Sequence, residues 1–341
     1  MNFADKHNFG KSVEVVRRAS GKWFRKPRTV FWEWLFFGKD SPLVEIFNVV
    51  GQNCDRALSS FLYNLEIEVE GNWLGYSREQ KATPTDALQP SHFYGFGVLL
   101  AYTYIFGIRD LHQQNLIMTK THLQPVDIEV VFTQLVLPSE TLLLPFKTFG
   151  YEAVGIGSLA KSPRDFGQEQ VRQVFAGYFD FFICAKNRKD QIAHALSDAD
   201  LSSHPCRVIV RNTSEYGRHI EGKQPLEPLA SEKAQLSRGD IPYYFKYLGK
   251  KDLRWLATPD QHEIEEHLGI FTEDIDRHAV SPLGLLEANL STDQKMIQGA
   301  MQIVRHFSTE QKSVAVDLIG DISVRSFGSQ ITVGNRKYAA V

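Results

Sequence analysis

The sequence contains few cysteines, and their positions suggest neither a covalent framework nor a zinc site. Its three cysteines, Cys54, Cys184 and Cys206, are far apart and odd in number. A disulfide-stabilised domain needs paired cysteines, and a Cys-x-x-Cys zinc site needs closely spaced ones. The composition argues against both classes and fits the reducing cytoplasm, where we expect the protein to reside.

Long apolar runs and a surplus of charge of one sign are also missing. No uninterrupted run reaches the roughly 18 apolar residues of a membrane span, and residues 1–7 carry charges where a secretory signal is apolar. Lysine and arginine number 38 against 40 aspartates and glutamates, a formal charge of -2. This balance gives no reason to expect nucleic acid or a membrane surface as a partner.

The glycine-rich loops that many nucleotide-binding proteins use are missing as well. No Gly-x-Gly-x-x-Gly precedes Lys26, and the chain has no Walker lysine loop. Such loops cradle phosphates in protein kinases and in P-loop enzymes. An ordinary protein kinase is therefore disfavoured.

The residues that are present predict a mixed α+β protein whose first part is rich in strands. Residues 12–25 indicate two strands around a glycine-containing turn, and Pro27 ends the second strand because proline lacks a ladder N–H. A helix is expected from Phe31 onward, with an interruption at 38–42. Residues 93–106 are apolar almost all round, which is typical of a buried helix.

The remainder predicts mainly helices with a few short strands. Apolar spacing indicates helices over residues 168–192 and 292–307, and strands over 126–132 and 206–210. At 341 residues, 43% of them hydrophobic, the chain can form two lobes around a cleft. We expect a first, strand-rich lobe over residues 1–90 and a larger, mainly helical lobe over residues 91–341.

One motif directly after the buried helix has the residue types of a phosphoryl-transfer site. Residues 109–115 read Arg-Asp-Leu-His-Gln-Gln-Asn, and Asp127 follows twelve positions after Asn115. Protein kinases carry Arg-Asp-Leu-x-x-x-Asn in their catalytic loop and a separate metal-binding aspartate after it. In this pattern Asp110 orients an attacking hydroxyl, while Asn115 and Asp127 offer oxygen ligands to Mg²⁺ on the phosphates of ATP.

Two further residues are candidates for this site. Glu129 lies two positions after Asp127, so on a strand both carboxylates would share one face and Glu129 could ligate a second metal. Lys26, at the end of the second strand, stands where a kinase carries the lysine that contacts the phosphates. Each feature alone is more often a solvated strand edge or strand end, whereas their combination favours a site.

The chain also resembles a known family, the dehydratase domain of LanM-type (class II) lanthipeptide synthetases. The resemblance runs from the first residues to Leu253 and rests on six ordered motifs. The motifs are Asp-Lys-His-x-x-Gly-Lys-Ser-Val at 5–13, Lys-Pro-Arg at 26–28, Gly-Val-Leu-Leu-Ala running into Asp-Leu-His-x-x-Asn within 97–115, Asp-Ile-Glu at 127–129, Arg-Val-Ile-Val-Arg-Asn-Thr at 207–213 and Gly-Asp-Ile-Pro-Tyr-Tyr at 239–244.

This resemblance implies a kinase-like, two-lobed fold and a two-step reaction on a ribosomal precursor peptide. ATP phosphorylates a Ser or Thr side chain, and elimination of the phosphate leaves dehydroalanine or dehydrobutyrine. The residues that would serve phosphorylation are Lys26, Asp110, His112, Asn115, Asp127 and Glu129. Arg207 and Thr213 would serve elimination, and Asp5 and His7 match an N-terminal active-site pair whose step stays open.

The division is chemically sensible, because an arginine can grip a departing phosphate with two hydrogen bonds while a base takes the α-proton. A histidine such as His7 gains and loses its proton near neutral pH and can act as acid or base. Without the resemblance, Arg207 would be interpreted as an exposed strand residue and Thr213 as a turn residue.

The chain departs from the family pattern in its flanks and at two positions. The family's proteins usually have a region before the first motif and a zinc-dependent cyclase domain after the dehydratase. With three scattered cysteines we expect no cyclase zinc site, so ring formation and leader-peptide recognition would fall to a separate cyclase or leader-binding partner. The family's leading glycine is Ala4 here, and its proline before Thr213 is Asn212.

Three functions are therefore weighed. The first is a stand-alone dehydratase for a ribosomal peptide, and the second is a kinase of the same fold that phosphorylates a peptide or small molecule and stops there. The third is a catalytically silent peptide-binding subunit. Retention of Lys26, Asp110, Asn115 and Asp127 argues against the third, and retention of Arg207 and Thr213 favours the first.

Overall fold

The chain folds into a mixture of α-helices and small antiparallel sheets. A computed structural model describes residues 6–62, 65–82, 88–147, 149–266, 275–308, 314–318, 322–327, 330–333 and 336–339. The candidate residue Asp5 lies outside these ranges. The helices within them are α1 (Phe31–Phe37), α2 (Pro42–Glu45), α3 (Pro90–Phe106), α4 (Gln168–Asn187), α5 (Lys189–Asp198), α6 (Thr213–Ile220), α7 (Ala230–Ser237), α8 (Pro282–Leu290) and α9 (Gln294–Phe307).

The strands in the same ranges form small sheets in which every pair is antiparallel. The first sheet, in the order β1-β2-β4-β3, consists of β1 (Glu14–Arg18), β2 (Gly21–Lys26), β3 (Ile67–Val69) and β4 (Gly75–Arg78). A short pair follows, made of β5 (Leu116–Met118) and β6 (Leu123–Pro125). The second large sheet, in the order β10-β9-β8-β7, consists of β7 (Cys206–Val208), β8 (Tyr244–Lys246), β9 (Leu253–Leu256) and β10 (Glu263–Glu266). The last contains β11 (Ala315–Asp317), β12 (Ser323–Phe327), β13 (Gln330–Val333) and β14 (Arg336–Ala339) in sequence order.

The predicted hairpin near the N-terminus is confirmed. β1 pairs with β2 in a register that sets Arg18 opposite Gly21. Gly21 has a φ of +122°, a conformation that side chains rarely adopt, so glycine is the residue that suits this turn. β2 ends at Lys26, since Pro27 has no N–H for a ladder. The last residue of this strand is therefore the candidate lysine.

The helix after the hairpin is apolar, and mostly aromatic, except for one carboxylate. α1 has the sequence Phe-Trp-Glu-Trp-Leu-Phe-Phe, and its only charged residue, Glu33, is fully buried. The predicted interruption is confirmed, because α1 stops before Gly38 and α2 begins after Ser41, whose hydroxyl accepts the Val44 N–H at 3.3 Å. A buried carboxylate on an apolar helix needs a cation, which the candidate site supplies.

The predicted buried helix is α3, and it packs closely against α4. A Cβ at Gly97 would lie 2.0 Å from the Val174 carbonyl oxygen, and one at Gly177 would lie 2.0 Å from the Tyr94 carbonyl oxygen. Glycines at both places let the two backbones approach one another. α3 ends at Phe106, and the residue that caps it, Gly107, has a φ of +63°, so a buried helix leads directly into residues 109–115.

The prediction of a strand over residues 126–132 is wrong. Asp127 has a φ of +60° and Phe132 a φ of +51°, both in the left-handed region, and such residues cannot continue an extended ladder. The strand that precedes this segment, β6, ends at Pro125. The alternating Val-Asp-Ile-Glu-Val-Val-Phe pattern instead follows an irregular backbone held by side-chain contacts.

Other predicted elements keep their type with changed ends. The helix predicted over 168–192 breaks at Arg188, where the backbone departs from helical angles, and continues as α5. The strand predicted over 206–210 ends at Val208, and the helix predicted over 292–307 begins at Gln294.

The main apolar core joins residues from both sides of residue 90. Trp32 and Phe36 of α1 are fully buried, and their rings lie 5.7 Å and 5.4 Å from that of Phe132. Burial of such aromatic side chains contributes about 1.5–3 kcal/mol each. The core therefore holds α1 against the segment that carries Asp127 and Glu129.

In the described part of the chain, no helix is both long enough and apolar enough to cross a bilayer.

Candidate active site

A buried lysine–glutamate ion pair joins the first sheet to α1. Lys26 Nζ donates to Glu33 Oε1 at 2.8 Å and to Glu33 Oε2 at 3.1 Å. Only 5% of the lysine side chain and 1% of the glutamate side chain are exposed. Charges removed from water at this depth are stable only when they are paired, so each residue fixes the other.

Asp127 is held by two cations, the last residue of β2 and an arginine two positions after it. Its Oδ1 accepts from Lys26 Nζ at 2.5 Å and from Arg28 Nη2 at 2.8 Å. Burial alone would raise the pKa of Asp127, but the charges of Lys26 and Arg28 hold it well below its ordinary range. Asp127 is therefore an anion at neutral pH, and 43% of its side chain remains exposed to a ligand.

Arg28 connects this aspartate to two glutamates. Its Nη2 donates to Glu33 Oε1 at 2.9 Å, and its Nε lies 3.1 Å from Glu129 Oε1. Burial would lower the pKa of Arg28, yet the surrounding carboxylates more than reverse this and raise it. A permanently charged guanidinium thus binds three carboxylates at once.

Glu129 connects Arg28 with Arg207, the first residue of the motif at 207–213. Its Oε1 lies 3.3 Å from Arg207 Nη1 as well as near Arg28, and its Oε2 accepts the Tyr243 hydroxyl at 2.8 Å. The Arg207 guanidinium also lies 5.2 Å from the centroid of the Tyr243 ring. Burial would raise the pKa of Glu129, but Arg28 and Arg207 lower it. Glu129 is therefore a buried, ionised anchor for Arg207.

Asp110 completes the group, and its pKa is shifted in the opposite direction to those of Asp127 and Glu129. Its φ is +67°, which aspartate tolerates better than most residues, and its side chain is 24% exposed. Burial raises the pKa of Asp110, while Arg207 and then His112, whose Nε2 lies 3.8 Å from Asp110 Oδ1, partly oppose the rise. A carboxyl group with a raised pKa at a partly open position is suited to exchange a proton.

We call seven of these residues the charged cluster: Lys26, Arg28, Glu33, Asp110, Asp127, Glu129 and Arg207. Its three cations face four carboxylates, so the group carries one excess negative charge when all are ionised.

Backbone hydrogen bonds hold the segments of the cluster in register. The Val126 N–H donates to the Asn115 carbonyl at 2.9 Å, and the Arg109 N–H donates to the Val130 carbonyl at 2.9 Å. The Arg207 N–H donates to the carbonyl of Glu129 at 3.0 Å. The loop 109–115, the segment 126–130 and β7 are therefore fixed to one another independently of their charges.

His7 reaches the cluster through Tyr243. Its Nδ1 lies 2.8 Å from the Ile241 carbonyl oxygen, and its ring meets the Tyr243 ring edge-on with centroids 5.6 Å apart. Thr213 is placed differently, as the first residue of α6 after Asn212. Within the described residues, no hydrogen bond or ion pair joins Thr213 to the charged cluster, and the predicted partner of His7, Asp5, is outside them.

The predicted magnesium ligands fit the metal unequally. Asn115 Nδ2 donates to the Asp110 carbonyl at 2.9 Å, which leaves Oδ1 as the ligand atom, and Asp127 is a partly exposed anion. Mg²⁺ is commonly held by one or two such oxygens together with substrate phosphates. Glu129 fits less well, since both of its oxygens already contact Arg28, Arg207 or Tyr243. Among the described residues no three His, Cys, Asp or Glu side chains form an all-protein metal cage.

Three members of the site were missed by sequence reasoning. Glu33 had a signal, because it is the single charge in an aromatic helix seven positions after Lys26. Arg28 stood in a motif already noted for its lysine. Tyr243 also stood in a noted motif, residues 239–244, but its role could not be read there, since it depends on contacts with Glu129 and Arg207 across the fold.

The sequence also contains Asp165-Phe166-Gly167, the triplet that positions a metal-binding aspartate in protein kinases. Here the Asp165 carboxylate accepts the N–H groups of Lys161 and Ser162 at 3.0 and 2.8 Å, and Phe166 is buried in the core. These contacts make the triplet a local turn before α4, and they involve no member of the charged cluster.

Comparison with known proteins covers the first part of the chain. A family described as a domain of unknown function, DUF4135, matches residues 1–154. That stretch includes most of the charged cluster, whereas Arg207 lies beyond it. A search among curated proteins found no match. The similarity therefore relates residues 1–154 to a domain whose description assigns no reaction.

Proposed function

We propose that the protein is an ATP-dependent dehydratase of Ser and Thr residues in a ribosomally made precursor peptide, acting by phosphorylation and then elimination of phosphate. The observation that carries this proposal is the double contact of Lys26, which binds Glu33 and Asp127 together. A lysine–glutamate ion pair beside a metal-binding aspartate is the arrangement that protein kinases need for phosphoryl transfer. The proposal includes the kinase-like, two-lobed fold with lobes over residues 1–90 and 91–341.

The first step rests on the loop 109–115 and its neighbours. When bound, ATP and Mg²⁺ would supply the transferable phosphoryl group and neutralise the charge of the phosphates. Asn115 and Asp127 are the residues that would hold the metal, and Lys26 would contact the phosphates. Asp110 would orient the hydroxyl of the peptide and accept its proton, and His112 beside it would tune this proton transfer.

The second step rests on Arg207. In elimination a base removes the α-proton, the Cα=Cβ double bond forms, and the Cβ–O bond breaks as phosphate leaves. Arg207 can bind that phosphate bidentately, since its guanidinium is already held by Glu129 and Tyr243. His7, in contact with the Tyr243 ring, is the candidate for the proton transfer at this step. The sharing of Glu129 between Arg28 and Arg207 supports one cleft for both steps.

One observation favours the second candidate, a kinase that stops after phosphorylation. Thr213, the other residue assigned to elimination, has no described contact with the charged cluster. If Thr213 does not reach the phosphopeptide, Arg207 alone must stabilise the leaving phosphate. If Arg207 alone does not suffice, phosphopeptide would be the final product.

The experiment that tests the proposal incubates the protein with ATP, Mg²⁺ and a peptide from its gene neighbourhood, and weighs the product by mass spectrometry. Loss of water supports dehydration, and gain of phosphate without loss of water supports the kinase. An unchanged peptide with intact ATP would refute both. A separate cyclase or leader-binding protein would be added in a parallel reaction, because either is an expected partner.

A further inference from the structure

One buried carboxylate, that of Asp240, binds backbone N–H groups near the N-terminus, the first of them 231 positions earlier in the chain. Asp240 is fully buried, and its oxygens accept the N–H groups of Phe9 at 2.7 Å and of Gly10 at 2.6 Å. Arg238 Nε donates to it at 2.6 Å, and the Arg238 guanidinium lies 3.8 Å from the centroid of the Phe9 ring. A carboxylate without solvent is stable only with such a full set of partners.

The turn that supplies these N–H groups has an unusual backbone. Asn8, Phe9 and Gly10 have φ values of +49°, +72° and +73°, all in the left-handed region. Neighbouring N–H groups in such a turn can form a concave anion-binding nest, which the Asp240 carboxylate occupies. Residues other than glycine keep such angles only where surrounding contacts compensate for the strain. The conformation of this turn therefore depends on Asp240.

The same turn carries His7. The backbones of His7 and Lys11 exchange two hydrogen bonds of 2.9 Å, which close the turn. The Ile241 carbonyl oxygen near His7 Nδ1 can only accept, so Nδ1 carries the hydrogen and Nε2 is the basic nitrogen of the neutral ring. A displaced turn would lose this hydrogen bond and with it the defined tautomer.

We propose that Asp240 is a positioning residue for His7. Through the N–H groups of Phe9 and Gly10 it holds the turn that fixes the His7 tautomer and sets the ring against Tyr243. Because Tyr243 contacts Glu129 and Arg207, this arrangement sets the His7 ring at the border of the charged cluster. The consequence for the reaction rests on the proposed function, whereas the consequence for His7 itself does not.

The direct test is the tautomer of His7 in the full chain, measured by NMR on protein labelled with ¹⁵N-histidine. A His7→Gln variant identifies the signal among the 11 histidines. We expect the Nδ1–H tautomer in the wild type and a mixture of tautomers in Asp240→Asn. The matched control is Glu232→Gln, since Glu232 is also fully buried and also binds an arginine, a hydroxyl and a backbone N–H. An unchanged His7 signal in folded Asp240→Asn, or an equal change in the control, would overturn the proposal.

A second pair of variants keeps the test valid if Asp240→Asn fails to fold. A Cβ at Gly10 would meet no atom within 4 Å, so a substitution there changes only the backbone preference. Gly10→Val disfavours the left-handed angle, and Gly10→Asn tolerates it. We expect the tautomer mixture in the valine variant and the wild-type signal in the asparagine variant. Wild-type signals in both would overturn the proposal.

Activity gives a separate readout. With the candidate peptide, ATP and Mg²⁺, we expect at least a tenfold slower formation of dehydrated product in Asp240→Asn and in Gly10→Val, with near wild-type rates in Gly10→Asn. If no variant and no wild-type protein acts on the peptide, the proposed function fails while the tautomer measurement still decides the role of Asp240. Full activity in a variant whose His7 tautomer is mixed would show that the reaction does not depend on the His7 tautomer.

Discussion

Lys26 and Glu33 form an ion pair that solvent hardly reaches, with Nζ within 2.8 and 3.1 Å of the two carboxylate oxygens. The pair does more than join a strand to a helix, because Lys26 also binds Asp127 at 2.5 Å. Glu33 therefore decides where the positive charge of Lys26 lies relative to the candidate metal ligand.

Glu33→Gln tests this relationship. Without the carboxylate, Lys26 and Arg28 lose a shared partner, and breaking a buried pair typically costs about 3–5 kcal/mol. We expect a lower free energy of unfolding in urea and loss of ATP-dependent phosphorylation in a single-turnover assay. Glu45→Gln, which changes an exposed glutamate on α2, serves as the control and should alter neither. Normal phosphorylation by a folded Glu33→Gln variant would contradict the assignment.

Asp110→Asn tests whether the negative charge of the proposed base lowers the free energy of unfolding. Burial raises the pKa of this carboxyl in the folded state, so its contribution to stability falls as pH rises through the ordinary value of 3.8 toward the raised value. Asparagine tolerates the left-handed backbone and carries no charge to desolvate. We expect product formation to fall by about 10²–10⁴-fold, in the range of general base catalysis, while the protein becomes more stable at neutral pH. A variant that is less stable than the wild type at neutral pH would show that the charge stabilises the fold.

Asp110 and Glu33 show which parts of the site could be predicted from the sequence and which could not. The spacing of Asp110, Asn115 and Asp127 selected residues that do lie on segments joined by backbone hydrogen bonds. It failed for the backbone between them, because an alternating pattern predicts a strand unless a residue such as Asp127 takes a left-handed angle, and the sequence does not reveal that angle. The pattern also does not reveal the role of Glu33, since apolar residues predict a buried helix but not that its one charged residue pairs with Lys26.

Arg207→Lys tests the division between two steps. Lysine keeps the positive charge near Glu129 but cannot form the planar, two-point contact with a phosphate. We expect phosphopeptide to accumulate in Arg207→Lys and also in Arg207→Ala, whereas Asp110→Ala should give neither phosphopeptide nor dehydrated product. The mass of the peptide after a fixed reaction time shows how much phosphopeptide and how much dehydrated product each variant forms. Equal effects of the Asp110 and Arg207 substitutions would refute separate roles.

Two neighbouring tyrosines provide a matched comparison. The Tyr243 hydroxyl donates to Glu129 Oε2 at 2.8 Å, whereas the Tyr244 hydroxyl lies 2.6 Å from that of Ser231, away from the charged cluster. Both are buried, and loss of the hydrogen bond should cost about 1.5–3 kcal/mol of unfolding free energy at Tyr243, whose acceptor is charged, and about 1 kcal/mol at Tyr244. We expect only Tyr243→Phe to slow formation of the dehydrated product. If Tyr244→Phe slows it equally, the contact with Glu129 has no special role.

The ionised state of Glu129 predicts a response to acid. Its pKa is depressed in the folded state by Arg28 and Arg207, so its stabilising contribution is present above the ordinary value of 4.5 and is lost as pH falls below it. Glu129→Gln should therefore be less stable at neutral pH and should show a smaller further loss between about pH 5 and about pH 3. Urea unfolding at several pH values measures how the unfolding free energy of the variant and of the wild type changes with pH. Parallel slopes in variant and wild type would contradict an ionised, arginine-bound Glu129.

The most direct test of the central claim, that one cleft adds a phosphate and then removes it, is a quenched time course of the peptide mass with ATP and Mg²⁺. We predict that phosphopeptide appears first and then decays into a product lacking water, and that purified phosphopeptide loses phosphate when mixed with the protein in place of the unmodified peptide. Phosphopeptide that only accumulates, or a peptide that never changes while ATP stays intact, would contradict the account.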